Sequence, residues 1–228
     1  MNEFETQKKL IKIEDPIIFD VGAYIGGVSS IYRKLFPNAT IYAFEPYKES
    51  FNELLNVSEK LKLIPYNKAI SNINGNIEFN INAAAQTNSI LSTHPDGDRI
   101  WDSMGYVNNL NKTIVESITI DTFLENNNIE KIDILKLDTQ GTEYMVIEGA
   151  VNSIKENRIN IIYTEIITLP TYIGQKYLDE VLNIFRINDF NLYDVYNQSY
   201  TNDNKLRQVD AIFVHNSFYT KNLKNNQL

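Results

Sequence analysis

The stretch that most constrains this chain is Ile17-Ile18-Phe19-Asp20-Val21-Gly22-Ala23-Tyr24-Ile25-Gly26-Gly27. A short apolar run ends in an acid, meets a glycine turn and continues into a segment whose apolar residues Val28, Ile31, Tyr32, Leu35 and Phe36 recur with helical spacing. Strand, turn and helix is the reading. Glycine has no Cβ, so the backbone can approach a ligand closely, and the helix N-terminus is aimed at whatever sits above the strand. The floor of a nucleotide-type cofactor site is the expected role.

The downstream sequence repeats the unit. Pro37-Asn38 breaks the helix, Thr40 to Phe44 reads as a second strand ended by Glu45-Pro46, Tyr47 to about Val57 as a helix, and Leu61 to Tyr66 as a third strand. This alternation predicts a parallel sheet covered by helices, an α/β, Rossmann-like three-layer sandwich. Residues 67–120 break the rhythm: Ile77 to Asn82 and Val115 to Ile120 alternate as strands, His94 to Asp98 reads as loop, and the whole is expected to be an insertion near the cofactor edge. Asp121 is then expected to cap a short helix. Ile132 to Asp138 resumes the parallel core, followed by a turn at Gly141 and a helix from about Glu143 to Lys155. Ile159 to Glu165 and Gln175 to Asn188 supply one more strand and helix. Phe190 to Val195 and Val209 to Val214 are joined without a helix, so they are expected to be antiparallel neighbours. Residues 1–15 read as a polar lead-in and 216–228 as a frayed polar tail, and the 228 residues are expected to form a single domain.

Composition removes several classes of function. A net charge of −8 argues against a protein that holds nucleic acid by bulk electrostatics. No cysteine is present, which removes disulfides, thiolate catalysis and Cys-based zinc sites together and fits a reducing cytoplasm. The N-terminus is acidic with no apolar core behind it, so no secretory signal is expected, and nothing approaches the roughly 20 apolar residues of a membrane span.

Ligands of open α/β sheets bind outside the carboxyl ends of the strands. Those ends carry Asp20, Glu45, Asp138 and Glu165. Each alone is as well explained as a turn former or helix cap; their joint placement favours a site. The glycine turn narrows the ligand. A dinucleotide fingerprint wants Gly-x-Gly-x-x-Gly so that the backbone can meet a pyrophosphate. Here Asp20-x-Gly22-x-x-x-Gly26 puts Ala23 and Tyr24 in that space, and an acid beside the turn would repel a pyrophosphate and favour a cationic group. Glu45 stands where an acid accepts hydrogen bonds from ribose hydroxyls. A ligand with a ribose, no phosphate and a positive charge describes S-adenosylmethionine.

Taken together, Phe19-Asp20-Val21-Gly22-Ala23-Tyr24-Ile25-Gly26, Phe44-Glu45-Pro46 and Leu135-Lys136-Leu137-Asp138-Thr139-Gln140-Gly141-Thr142-Glu143 resemble the motifs of the FkbM-type family of class I S-adenosylmethionine-dependent methyltransferases. Asn88-Ser89-Ile90-Leu91, Leu169-Pro170-Thr171-Tyr172 and Asp210-Ala211-Ile212-Phe213-Val214 are similar to further family segments. The resemblance covers roughly residues 16–215. Tyr24 stands where the family usually has Asn, and Gln140 where many members carry Glu. The resemblance implies a seven-stranded, mostly parallel sheet with an antiparallel last strand, and O-methylation of a sugar, glycan or secondary-metabolite hydroxyl. It also sets the adenine edge near Ala69. Gly22, Ala23, Tyr24, Gly26, Glu45, Ala69, Asp20 and Asp138 are the expected cofactor residues.

Methyl transfer asks the protein mainly to orient the partners and to take a proton from the hydroxyl. Asp138 is the first candidate base, followed by Glu165 and Glu143, with His94 an outside candidate from the insertion. No metal is assigned. Tyr172, Tyr193 and Tyr196 could stack against a sugar, though half-buried core tyrosines explain them as well, Tyr172 least so because it follows the Glu165 strand end. A non-catalytic cofactor-binding module and a nicotinamide-dependent oxidoreductase are the rival functions.

Overall fold

In the computed structural model, which describes residues 1–101 and 105–222, the elements follow one another as α1 (Glu3–Ile11), β1 (Ile17–Val21), α2 (Gly27–Leu35), β2 (Thr40–Phe44), α3 (Lys48–Leu61) and β3 (Leu63–Tyr66). Then come β4 (Ala69–Ile70), β5 (Gly75–Asn82), α4 (Gly97–Ile100), β6 (Asn109–Ile118) and α5 (Ile120–Asn126). The chain closes with β7 (Ile132–Leu137), α6 (Glu143–Glu148), α7 (Val151–Lys155), β8 (Ile159–Ile167), α8 (Leu178–Ile187), β9 (Phe190–Tyr200), β10 (Leu206–His215) and α9 (Asn216–Asn222).

The main sheet has seven strands in the order β3-β2-β1-β7-β8-β10-β9. The first five are parallel, and β10 runs antiparallel to both β8 and β9. All six residues of β7 are buried, as expected for a parallel strand covered on both faces. Phe19, Phe44 and Leu135 belong to the core on one side of the sheet, and Ile18, Ile41 and Ile134 to the core on the other. Phe123 of α5 seals the first side, its ring edge-on to Phe44 and Tyr66 at 4.9 Å from each. Burying one such ring contributes roughly 1.5–3 kcal/mol. After β3 the chain returns to lay β7 beside β1 and then builds the other way, so the carboxyl ends of β1 and β7 flank the switch point.

Several local expectations give way to tertiary contacts. Part of the polar tail is the helix α9, held by the buried Phe218; residues 223–228 lie outside the described residues. The lead-in forms α1, opened by a reciprocal cap between Asn2 and Glu5 and buried through Phe4, Leu10 and Ile11. The cap of α5 is Thr119, whose Oγ1 accepts from Thr122 N at 3.1 Å. Asp121 instead accepts from Asn152 N and Ser153 N at 3.0 and 2.8 Å and so caps α7. The single helix expected over 143–155 is two, because the chain passes so close to the β4 end that a Cβ on Gly149 would lie 2.1 Å from Ser71 O. The insertion adds a second sheet of β4, β6 and β5, and the loop around His94 holds the single turn α4.

Candidate active site

The turn after β1 is held from three sides. Gly22 sits at φ +74°, and a Cβ there would be 1.9 Å from Asp138 O, so only glycine lets the β1 and β7 ends press together. Gly22 N and Ala23 N both donate to Phe44 O, at 3.0 and 2.9 Å. Tyr24, at φ +50°, donates its N–H to Glu45 Oε2 at 3.0 Å, while Glu45 Oε1 accepts from Tyr47 N at 2.8 Å. The Glu45 carboxylate therefore ties the β1 turn to the β2 end. Its burial pushes its pKa up to about 7, against the lowering effect of those two backbone donors.

Behind the turn lies a buried ion pair. Asp20 and Lys136 face each other across the β1–β7 ladder, with Lys136 Nζ 3.0 Å from Asp20 Oδ1. Ser29 Oγ donates to the other Asp20 oxygen at 2.6 Å, and Lys136 Nζ also donates to Gly22 O at 2.8 Å. Burial alone would lower the Lys136 pKa, yet Asp20, then Asp138, outweigh it and leave the pKa raised. The lysine stays charged and clamps the glycine turn.

A cavity of about 360 Å³ opens above these strand ends. Gly22, Ala23, Tyr24, Glu45, Ala69 and Asp138 line it together, with Asn88, Ile90 and Phe79 from the insertion. Asp20 and Gly26 do not. Asp20 has no exposed surface and is committed to Lys136 and Ser29, and Gly26, at φ +88°, shapes the start of α2. Asn88 was visible in the sequence only as part of a motif. Its Oδ1 accepts from Asn82 N at 2.8 Å, and its buried Nδ2 has no partner.

A second cavity, of about 330 Å³, adjoins the first: Gln86, Asp138 and Gln140 line both. Glu165, Gln208, Trp101, Tyr106, Val107 and Thr87 complete it. At the junction Gln140, in the left-handed region at φ +57°, donates from Nε2 to Asp138 Oδ1 at 2.8 Å and to Glu165 Oε2 at 3.1 Å. Its own Oε1 lies 2.9 Å from the Tyr172 hydroxyl. Burial, then the charges of Asp138 and Glu143, drive the Glu165 pKa well upward. The Asp138 side chain is 39% exposed and faces both cavities.

Other candidates fall elsewhere. Glu143 Oε1 accepts from Thr139 N at 2.8 Å and Thr139 Oγ1 at 3.0 Å, closing the turn after β7, and it lines neither of the two cavities. His94 accepts from Asp96 N at 3.1 Å in its own loop. Tyr172 is buried and braces Gln140; neither it, Tyr193 nor Tyr196 lines these cavities. Gln208, on β10, carried no signal in the sequence. Lys136 carried one: a single cation in the apolar strand Ile132 to Leu137, in register with Asp20.

The family profile described as "Methyltransferase FkbM domain" matches residues 20–192. The chain is 28% identical over 192 residues to "2-O-methyltransferase NoeI" of Sinorhizobium fredii, covering 77% of this chain and 73% of that protein. It is 26% identical over 155 residues to "Hexuronic acid methyltransferase AglP" of Haloferax volcanii, covering 67% of this chain but only 56% of that one. Among solved structures, Methanococcus jannaschii fibrillarin, a pre-rRNA processing protein, superposes with a TM-score of 0.51 at 14% identity, covering 89% of this chain and 67% of its own. Magnesium protoporphyrin IX methyltransferase of Synechocystis gives 0.50 at 9% identity, covering 93% and 79%. At such identities the likeness shows the fold alone, the Rossmann-like sheet of class I methyltransferases.

Proposed function

This chain belongs to the FkbM methyltransferase family, and from that premise we propose that it moves a methyl group from S-adenosylmethionine to a hydroxyl of a sugar or sugar-like small molecule. The observation that carries the reading is two cavities meeting at one half-exposed carboxylate, Asp138. The names of both relatives, a 2-O-methyltransferase and a hexuronic acid methyltransferase, support oxygen as the target.

The first cavity fits the cofactor on its own chemistry. Glu45 offers carboxylate lone pairs at the β2 end, where a ribose would donate. Asn88 Nδ2 is a buried donor in want of an acceptor. Ala69, Phe79 and Ile90 give apolar walls for a flat base. The cationic groups on the wall are already matched, Lys136 by Asp20 and Lys68 by Glu116, so an added anion gains nothing and an added cation is tolerated.

S-adenosylmethionine, when bound, supplies a methyl group activated by its sulfonium and departs as a neutral thioether. The acceptor oxygen gains that methyl and gives up one proton, which Asp138 is placed to receive as general base. Gln140 holds the Asp138 carboxylate by its Oδ1 at 2.8 Å, and Oδ2 lies 3.8 Å from Lys136 Nζ. Glu165, with its pKa raised and its two oxygens accepting from Gln140 and Gln208, positions those amides rather than taking the proton. Asp20 and Lys136 act through the turn they clamp. Turnover is expected to survive chelators, since the sulfonium already activates the carbon. A cytoplasmic setting and the exclusion of nucleic acid are supported by the cysteine-free, acidic composition; among the described residues no helix is long and apolar enough to cross a membrane.

Asp138→Asn is the test. Transfer of labelled methyl to a sugar panel should fall by ~10²–10⁴-fold, while calorimetry with S-adenosylhomocysteine stays within about threefold. An unchanged rate removes Asp138 as base. Cofactor never consumed with any hydroxylated acceptor would favour the non-catalytic module instead.

A further inference from the structure

The second cavity is unusual in which hydrogen-bonding groups it leaves free. Of its lining residues, Gln140 has spent both amide protons on Asp138 and Glu165, and Gln208 Nε2 donates to Glu165 Oε1 at 2.7 Å. Trp101 Nε1 is committed to Thr171 Oγ1 at 2.8 Å, and the Thr87 hydroxyl lies 2.8 and 3.0 Å from the backbone carbonyls of Ala84 and Tyr106. Among the described residues what remains inside is acceptors: the half-exposed Asp138 carboxylate, whose Oδ2 lies 3.8 Å from Lys136 Nζ, and Gln208 Oε1, buried without any partner. An orphaned buried acceptor is costly unless a ligand satisfies it. The donors still free belong to Tyr106 and Gln86, which are exposed at the rim.

Charge points the same way. Two carboxylates and no Lys or Arg line this cavity among the described residues. Lys136 lies 3.0 Å from Asp20 and 3.8 Å from Asp138 and does not line this cavity, and neither does Arg207, which lies over the Trp101 ring, 4.6 Å from its centroid, with its guanidinium donating to Ser199 Oγ and Trp101 O and its Nε buried without a partner. A ligand anion would therefore sit beside carboxylates with no cation among the described lining residues to meet it. A ring bearing hydroxyl donors would satisfy both free acceptors and lie against Trp101 and Tyr106. The volume, about 330 Å³, suits one ring and not an extended glycan.

Resting on the methyltransferase reading above, we infer that this cavity selects a neutral sugar ring whose hydroxyls donate to Asp138 and Gln208, and that it turns away the corresponding hexuronate or phosphosugar. The chain would thereby part from its relative named for a hexuronic acid.

The experiment compares methyl glycosides of a hexose and of the matching hexuronic acid. Methyl transfer is followed from labelled S-adenosylmethionine, and binding by saturation-transfer NMR with S-adenosylhomocysteine present. The neutral glycoside should bind and show at least a tenfold higher kcat/KM. Gln208→Leu, checked for an unaltered melting curve, should raise the KM for the neutral glycoside several-fold, leave S-adenosylhomocysteine affinity unchanged and not improve the uronate. Turnover of the uronate equal to or above that of the hexose overturns the inference while leaving methyl transfer intact. Absence of neutral-sugar binding in the presence of S-adenosylhomocysteine also overturns it. Failure to bind S-adenosylhomocysteine at all overturns the cofactor reading, and the inference with it.

Discussion

The Glu45 carboxylate makes the cofactor site pH-dependent in a direction that can be measured. Burial lifts its pKa from 4.5 to about 7. A ribose donating two hydroxyls would favour the ionised form, so binding should tighten as the pH rises through 7. With a pKa of about 7, roughly one carboxylate in eleven is ionised at pH 6 and ten in eleven at pH 8, so affinity should improve by up to about tenfold over that span. The probe is 5′-methylthioadenosine, which carries the ribose and adenine but no group that titrates between these pH values. Calorimetry at pH 6, 7 and 8 on the wild type and Glu45→Gln separates the effect from any other titration. The variant should bind ~10–100-fold more weakly at pH 8, as for the loss of a charge-assisted hydrogen bond, and with no slope. A flat wild-type profile, or the same slope in Glu45→Gln, would refute the reasoning.

The same shift bears on stability. An acid whose folded pKa is raised stabilises the fold fully below its unfolded value and loses that contribution as the pH climbs through the folded one. The ligand-free protein should thus lose up to ~3 kcal/mol between pH 4.5 and 7 from Glu45 alone, a loss that Glu45→Gln abolishes in denaturant titrations. Lys136→Met strands the fully buried Asp20 and should cost ~3–5 kcal/mol, read in calorimetry as a melting point lower by about 6–20 °C. Asp20→Asn added to it should recover part of that loss; a single-variant cost below ~1 kcal/mol would show the pair to be incidental. Gly22→Ala meets both the positive φ and the Asp138 carbonyl and should cost at least ~3 kcal/mol in urea unfolding, with cofactor binding lost. Tyr24→Asn should raise the melting point by a few degrees, because asparagine tolerates φ +50° where tyrosine is strained by ~1 kcal/mol.

What the sequence determined by itself is what depends on period and on local chemistry. Alternating strand and helix patterns specify the parallel sheet, the helix-free link before Val209 specifies the reversed strand, and Gly22 with the acids at strand ends marks the crevice. These are short-range signals, each repeated along the chain. Tertiary structure decided which acid faces which neighbour. Asp20, the first of the strand-end acids, lies behind the wall because a lysine 116 residues later falls in register with it. Glu143 turns back to its own loop, and Asp121 caps a helix other than its own. Gln208 reaches the site only because β10 inserts between β8 and β9. A side chain's protonation and availability depend on partners brought in by strand register and long-range packing, and no local pattern encodes those.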